Sequence, residues 1–409
     1  MKKILTISYY ADFSRFFEVA LDPILDKKCT WINLCIYPSS YIYSRIHKHD
    51  CVFLPQSVNN YVGEKKELDE LELKKLSKYH GDSKKIIDKT QKYLSYYDNL
   101  LDKEKPDLII LSGDSRIPVT TLAYIAKERK IKTIYFEQGP INTTILDSKG
   151  VNANCSFRHS NEINNQSKRF EEAKKTRIKK WTGYKKYRLI DIFYAFLSSK
   201  NNPEISKYKL PRIQQKISRT PAPRNTSYAL LILQVPEDAN MILHSPYFKD
   251  HCTIVKAVYN ALKLSLPEHN LIVREHPLYI GKYEKPLYDF ITENKDIYLD
   301  PKSNLIELIR SSELVFVNNS TVGLEVMSIG KPLIVLGDSY YDNNLYTNKY
   351  YGHDLDRLIL SSLNDIEKIN LAKKRVNYLF NDIFITGHFR DLDTSRFIKI
   401  SEIIKNEIY

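Results

Sequence analysis

Cysteine is scarce in this 409-residue chain and follows no pattern. Cys29, Cys35, Cys51, Cys155 and Cys252 are scattered, odd in number and never spaced as a Cys-x-x-Cys pair. That argues against a zinc site and for free thiols in a reducing, cytoplasmic compartment. Long apolar runs are also missing: none approaches the roughly 18 residues that a membrane-spanning helix needs. The apolar part of Met1–Ser8 leads straight into a strand-like segment and is too short for a signal peptide. Short-period repeats and low-complexity tracts are absent, and no RNA- or DNA-binding motif stands out, so no nucleic-acid partner is expected.

What is present is enough chain for two domains of ordinary size and a very uneven charge. The net charge is +13, and residues 168–224 hold 17 Lys/Arg against 4 Asp/Glu, so this one segment carries the whole excess. Its first part interleaves Lys174, Lys175, Arg177, Lys179, Lys180, Lys185, Lys186 and Arg188 with Trp181, Tyr184 and Tyr187. An apolar run from Leu189 to Leu197 follows. Basic residues beside aromatics and an apolar stretch suit an anionic membrane surface, and a solvated helix pair between domains is the plainer alternative.

On either side of that segment, strand-like and helix-like stretches alternate, which argues for parallel α/β sheets. Strands are expected at Ile4–Ser8, Trp31–Tyr37, Asp107–Ser112 and Lys132–Phe136, with one long charged helical region over Val62–Lys103. Thr220-Pro221-Ala222-Pro223 reads as a linker. A second rhythm follows, with strands at Tyr228–Val235 and Leu271–Arg274. Leu314–Val317 is a buried strand, Asn318-Asn319-Ser320-Thr321 caps a helix over Val322–Ile329, Gly330 ends it, and Leu333–Gly337 is the next strand. Such a helix start points unpaired backbone N–H groups above the sheet, where a nucleotide phosphate is held. The expected domains are 1–160, a basic helical linker at 161–225, 226–390, and a final helix at 391–409. Two Rossmann-like domains with a cleft between them make up a GT-B-like α/β architecture.

Ligands in such sheets lie beyond the carboxyl ends of the strands. In the first half those ends carry Gly113-Asp114-Ser115-Arg116 and Glu137-Gln138-Gly139-Pro140. In the second they carry Gln234 to Asp238, Arg274-Glu275-His276-Pro277 and Asn318 to Thr321. All five are expected to face one cleft. Each alone has an ordinary structural explanation as a cap, a turn or a local ion pair; their coincidence favours function.

Together these blocks resemble the bacterial capsule-synthesis proteins that include retaining β-Kdo transferases of capsule linkers and O-antigens. Phe136-Glu137-Gln138-Gly139, continuing through Gly150-Val151-Asn152, is similar to that family's E-x-G…G-V-N. Gly113-Asp114-Ser115-Arg116 resembles G-D-x-R, and Leu233-Gln234…Asp238…His244-Ser245 resembles L-Q-x-x-x-D…H-S. Arg274-Glu275-His276-Pro277 looks like K/R-x-H-P, and Asn319-Ser320-Thr321-Val322-Gly323, with Lys331-Pro332 and Gly337, looks like N-S-T-x-G…K-P…G. Tyr341-Asp342 matches a Y-D. Two departures stand out: Asp238-Ala239-Asn240 replaces D-S-Q, and the Arg often found after E-x-G is absent, with Asn142 nearby.

The resemblance implies a CMP-activated Kdo donor and retention at the anomeric carbon; a lipid-linked or polysaccharide acceptor is expected, and with the basic segment the expected place of work is the inner face of the inner membrane. The residues offer matching chemistry: Asp238 as nucleophile, Glu137 as general base, and His276 with Ser320 and Thr321 at the leaving phosphate. Arg116 or Arg274 would take the sugar carboxylate. Gln234, Pro277, Asn319, Asp114, Gly139 and Asn152 complete the expected site. No cofactor and no metal is expected; Asp391-Leu392-Asp393 and Asp354-Leu355-Asp356 are short D-x-D matches, the first suited to capping the last helix. Three other readings stay open: transfer of another CMP-nonulosonate such as sialic acid, teichoic-type polyol-phosphate transfer, and a non-catalytic capsule-assembly scaffold.

Overall fold

The computed structural model describes residues 1–25, 29–81, 83–198, 202, 204–205, 214–215, 226–300 and 303–409. The chain forms two compact units. The first comprises Met1–Val151, Glu171–Lys209 and Ile383–Tyr409; the second comprises Asn152–Phe170 and Leu210–Asp382. In chain order the strands are β1 (Lys2–Ser8), β2 (Cys29–Cys35), β3 (Asp50–Phe53), β4 (Leu108–Ser112), β5 (Lys132–Gln138), β6 (Thr143–Asp147) and β7 (Tyr228–Ile232). They continue as β8 (Asn270–Arg274), β9 (Ile297–Leu299), β10 (Leu314–Val317), β11 (Leu333–Val335), β12 (Asn348–Lys349) and β13 (Ile385–Thr386).

In the first unit the sheet order is β13-β6-β5-β4-β1-β2-β3, with β1 to β5 parallel. In the second the order is β12-β11-β10-β7-β8-β9, and every pair is parallel. Counted within each unit, the parallel orders are 3-2-1-4-5 and 3-2-1-4-5-6, the doubly wound Rossmann arrangement, and the switch points fall between β1 and β4 and between β7 and β10. The chain is thus an α/β protein of two Rossmann-like units, the make-up expected of a GT-B protein.

Strand composition follows from burial on both faces. β4 (Leu-Ile-Ile-Leu-Ser), β7 (Tyr-Ala-Leu-Leu-Ile) and β10 (Leu-Val-Phe-Val) are buried along their whole length, so apolar runs replace polar alternation. Alternate residues still serve different layers. Leu5, Ile7, Ile109 and Leu111 pack with Tyr93, Tyr97 and Leu122 on one side of the first sheet. Ile4, Leu108, Ile110 and Phe136 pack with Phe16, Phe17 and Phe397, and with Ile400 and Ile404 of the last helix, on the other. Residues 383 onwards therefore return to the first unit: β13 pairs antiparallel with β6, and helix Ile398–Ile408 fills one core face. In the second unit Ala229, Leu231, Val273 and Phe316 meet Val255, Leu287 and Ile359 from flanking helices.

The structure departs from the sequence reading in three places. The region over Val62–Lys103 is broken: helix Glu70–His80 stops at Gly81, whose φ is +90°, and helix Lys84–Glu104 follows. Only glycine takes that conformation cheaply. Second, β5 turns back at residues 140–142 into β6 as an antiparallel hairpin, with Ile141 and Asn142 both at positive φ. Third, much of the basic stretch is not a spacer between the units. Glu171–Lys209 belongs to the first unit, where Trp181 N–H donates to the Arg390 carbonyl at 2.6 Å and Leu392 N–H to Lys179 at 2.9 Å. The linker expected at Thr220–Pro223 lies outside the described residues. Asp393 does cap, accepting from Ser395 N–H at 3.2 Å at the head of the turn Thr394–Phe397 that enters the last helix. Among the described residues no helix is long and apolar enough to cross a membrane.

Candidate active site

The second unit gathers most of the expected residues at the carboxyl ends of β7, β8 and β10. Beyond β7, Gln234 is buried, and its amide donates to the Asn319 Oδ1 at 2.8 Å. Asn319 in turn donates to the carbonyls of Asn240 and His244, each at 2.9 Å, so the loops after β7 and β10 are locked together. Asn240 reaches Asn152 Oδ1 at 3.2 Å, which attaches the residue of the G-V-N block to the same cluster.

Asp238 heads the short helix Ala239–Leu243, and its Oδ1 accepts from Asn240 N–H at 3.1 Å. Its side chain meets solvent, yet the protein around it strips enough hydration to raise the carboxyl above the ordinary aspartate range, while His276 and His244 pull it down. Water access limits that rise. His276 stands at the end of β8 as the cap of the turn Pro277–Tyr279. Its backbone N–H donates to the Tyr283 hydroxyl at 3.1 Å, and its Nδ1 accepts from Leu278 N–H at 3.2 Å. With Nδ1 accepting, the proton of the neutral ring sits on Nε2, leaving a donor. Burial lowers the His276 pKa, and only the neighbouring Asp238 opposes this, so the ring is neutral near pH 7. Pro277 fixes the chain direction behind it.

The helix Val322–Ile329 begins just past β10 and ends at Gly330, whose φ is +84°. Ser320 Oγ lies 3.4 Å from Val322 N–H. Ser320 is half-buried and Thr321 exposed, but the expected unpaired donors are already engaged: Gly323 N–H donates to the Ser320 carbonyl at 2.9 Å and Leu324 N–H to the Thr321 carbonyl at 3.1 Å, which leaves the positive dipole end of the helix facing solvent. Two glycines make this geometry possible. A Cβ on Gly337 would sit 2.7 Å from the Asn318 Oδ1 and from the His244 carbonyl, and one on Gly323 would strike the Tyr341 ring.

The two arginine candidates differ. Arg274 is committed to Asp300, donating to its carbonyl at 2.9 Å with the carboxylate at 3.4 Å. Arg116, in the first unit, lies over the Tyr9 ring at 4.7 Å, and its Nη1 is buried without a hydrogen-bond partner among the described residues. Burial works against its charge, but Tyr9, Tyr10, Tyr79 and Tyr37 more than offset this and hold its pKa above the ordinary value. Beside it, burial and the Arg116 charge push His80 down to about 4.

The remaining first-unit residues stand at the ends of β4 and β5. Gly113 N–H donates to the Phe136 carbonyl at 3.1 Å, and the Asp114 carboxylate accepts from Val151 N–H at 3.1 Å. Glu137 is half-buried on β5 opposite Ile145 of β6. Gly139 is required where it stands, since a Cβ would lie 2.4 Å from Thr143 Oγ1.

The family pattern of capsule polysaccharide biosynthesis proteins matches residues 107–389, well over half of the chain. The chain belongs to this family. Among curated proteins, protein FixF of Sinorhizobium fredii is 24% identical over 313 residues, covering 76% of this chain and 67% of FixF. The capsule polysaccharide export protein KpsS of Escherichia coli is 27% identical over 150 residues, 35% of this chain and 36% of KpsS. Among solved structures, Thermosulfurimonas dismutans KpsC, a beta Kdo 2,7 transferase, superposes with a TM-score of 0.42 at 14% identity, covering 90% of this chain and 99% of that one.

In this capsule-family chain the structure adds residues that sequence reading passed over. Arg158 grips Asp342 with two bonds, Nε at 2.9 Å and Nη2 at 2.6 Å, and touches Asp338 at 3.0 Å. Lys349 donates to Asp338 at 2.7 Å and to Asp342 at 2.9 Å, so two cations and two carboxylates close the loop after β11. The first unit also holds a cavity of about 300 Å³ near the carboxyl ends of β1 and β2, lined by Tyr10, Asp12, Ser39, Arg188, Asp191 and Arg390. Burial pushes Asp191 up to about 6. Of these, Arg188 and Asp191 lie in the segment marked in the sequence for its charge. A separate trio, Glu18, His47 and His49, offers ligand atoms of the metal-binding type within 4.8 Å of one another. Glu18 is hydrogen-bonded to His47 Nδ1 at 2.7 Å and to the Tyr43 hydroxyl, and His49 Nε2 stands 3.2 Å from its carboxylate at ion-pair distance, which accounts for the grouping.

Proposed function

We propose that the protein is a retaining glycosyltransferase that moves Kdo from CMP-Kdo to a lipid-linked or polysaccharide acceptor. The observation that carries the proposal is the clustering in the second unit: Asn319, just before the helix start at Ser320 and Thr321, is hydrogen-bonded to Gln234 and to Asn240 of the short helix that Asp238 caps, and His276 interacts electrostatically with Asp238. CMP departs as a phosphate monoester anion, so it needs charge stabilisation rather than a strong acid. The His276 Nε2–H, the Thr321 hydroxyl and the positive dipole end of the helix supply it.

In the first step a carboxylate oxygen of Asp238 attacks the anomeric carbon as its bond to the phosphate oxygen breaks, and CMP leaves with the electron pair. In the second, Glu137 takes the proton from an acceptor hydroxyl, whose oxygen displaces Asp238 from the anomeric carbon. Two displacements give retention. Arg116 is the better choice for the sugar carboxylate, because Arg274 is already held by Asp300. No step uses a metal.

The test is incubation of purified protein with CMP-Kdo, with and without a Kdo-terminated acceptor, followed by intact mass spectrometry. The proposal expects CMP release, a sugar adduct on Asp238 and transfer with retained configuration. Turnover only with CMP-sialic acid or a CDP-polyol would assign a different donor, and failure to bind CMP would point to a scaffold.

A further inference from the structure

Helix Tyr184–Ser198 is amphipathic in the reverse of the usual sense. Its inward side is partly polar. Asp191 and Ala195 are buried, Asp191 Oδ1 accepts from Ser39 N–H at 3.0 Å, and the Arg188 guanidinium lies over the Tyr10 ring at 4.8 Å. Its outward side is apolar: Leu189 is 74% exposed, Phe193 65%, Phe196 73% and Leu197 59%, with Ile190 at the border at 41%. Leu189, Phe193, Phe196 and Leu197 stand at i, i+4, i+7 and i+8, one continuous stripe of a helical surface. A soluble domain does not ordinarily present so many large apolar side chains together.

The charge around the stripe is of one sign. Residues 174–188 contain eight Lys/Arg and no Asp/Glu. Lys185 and Lys186 are exposed at the N-terminal end of the same helix, and Lys174, Lys175, Arg177, Lys179 and Lys180 are exposed just before it. The helix's one acid, Asp191, is turned inward. A second copy of the chain would bring an equally positive patch against this one, which repels. A nucleic acid would satisfy the charge and leave the apolar stripe in water. An anionic bilayer satisfies both, with lysines at the headgroups and the stripe at the acyl boundary.

We propose that the outward face of helix Tyr184–Ser198 seats the protein in the interfacial layer of an anionic lipid bilayer. The inference does not depend on the glycosyl transfer proposed above, although it supplies that reading with a surface on which a lipid-linked acceptor is met.

Full-length protein is sedimented with vesicles containing phosphatidylglycerol or with vesicles of phosphatidylcholine alone. The expected result is binding to the anionic vesicles only, weakened by salt. Lys185→Ala/Lys186→Ala should weaken it about 30-fold at low salt, from about 1 kcal/mol per lysine, and Phe193→Glu/Phe196→Glu should abolish it. Amide hydrogen exchange on wild-type protein should show residues 184–198 protected by anionic vesicles, which tests the idea even if a variant folds poorly. Equal binding to both lipids, undiminished binding by the Phe variant, or absence of that protection would overturn the proposal. So would a stable dimer in sedimentation velocity that the Phe variant splits. Transfer to a soluble acceptor in detergent should be the same for wild type and both variants, so loss of membrane binding and loss of the proposed chemistry are read separately.

Discussion

The Tyr341 ring occupies the space that a side chain at position 323 would need: a Cβ on Gly323 would lie 2.6 Å from both the Cζ and the hydroxyl oxygen of Tyr341. That hydroxyl donates to the Ser320 carbonyl, so the tyrosine braces the turn from which the helix starts. Gly323→Ala should therefore overpack the site and cost about 1–3 kcal/mol of stability. Tyr341→Phe loses only the hydroxyl contact, about 1 kcal/mol. Urea unfolding of both variants measures this, and CMP titration should show Gly323→Ala binding more weakly than Tyr341→Phe. Equal stability of Gly323→Ala and wild type would mean that the ring moves aside freely.

Substitution can separate the cap that Asp238 forms from the role proposed for it. As a cap it needs an oxygen acceptor, and as the proposed nucleophile it needs a negative charge. Asp238→Asn keeps the acceptor for Asn240 N–H and should unfold within about 0.5 kcal/mol of wild type, whereas Asp238→Ala should lose about 0.5–2 kcal/mol. Both should abolish transfer and leave CMP binding largely intact. Because the protein raises this carboxyl above the ordinary aspartate value, the acid limb of kcat/KM should lie above pH 3.8. Transfer by Asp238→Asn at the wild-type rate would remove the residue from the chemistry.

How far the sequence carried depends on the kind of signal. β4, β7 and β10 were legible because burial on both faces leaves apolar runs, and the turn at Gly330 was legible because only glycine enters the left-handed region without strain. The placement of Gln234, Asp238, His276 and Asn319 was legible because a residue just past a parallel strand must lie at the carboxyl edge of its sheet. The β5–β6 hairpin was missed because its turn uses Ile141 and Asn142 at positive φ in place of the usual Asn-Gly. Arg158 and Lys349 were missed for another reason. Arg158 is 184 positions from Asp342, and no local pattern records a pairing over that distance. Arg274 looked as available as Arg116 until its contact with Asp300 was seen.

Glu18 gives the fold a pH dependence at its acid end. Burial alone would raise its pKa, but His49, Tyr43 and His47 beside the carboxylate outweigh this and bring it down to about 2 from the usual 4.5. A carboxyl depressed in the fold contributes stability that is fully present above its unfolded pKa and is lost as pH falls through the folded value. Wild-type stability should therefore decline between about pH 5 and pH 2, by no more than about 3 kcal/mol from this group. Glu18→Gln should be less stable at pH 6 and should lose less over that range. Parallel pH curves for the two proteins would show that the trio contributes nothing.

The cluster of Arg158, Lys349, Asp338 and Asp342 makes the sharpest stability prediction. Lys349 and Asp342 are buried, with side chains 6% and 4% exposed, so neither charge is offset by water. Removing one partner strands the other in a low-dielectric site. Asp342→Asn should leave Arg158 and Lys349 sharing Asp338 alone and cost about 3–5 kcal/mol. Lys349→Met should cost a similar amount, because it takes a cation from both carboxylates and also empties the bond to the Gly337 carbonyl. The double variant removes one charge of each sign and should be less damaging than the sum of the two, by about 0.5–3 kcal/mol of coupling. Urea unfolding of the four proteins in that cycle measures the coupling directly. Strict additivity would mean that the two side chains act independently despite their 2.9 Å contact.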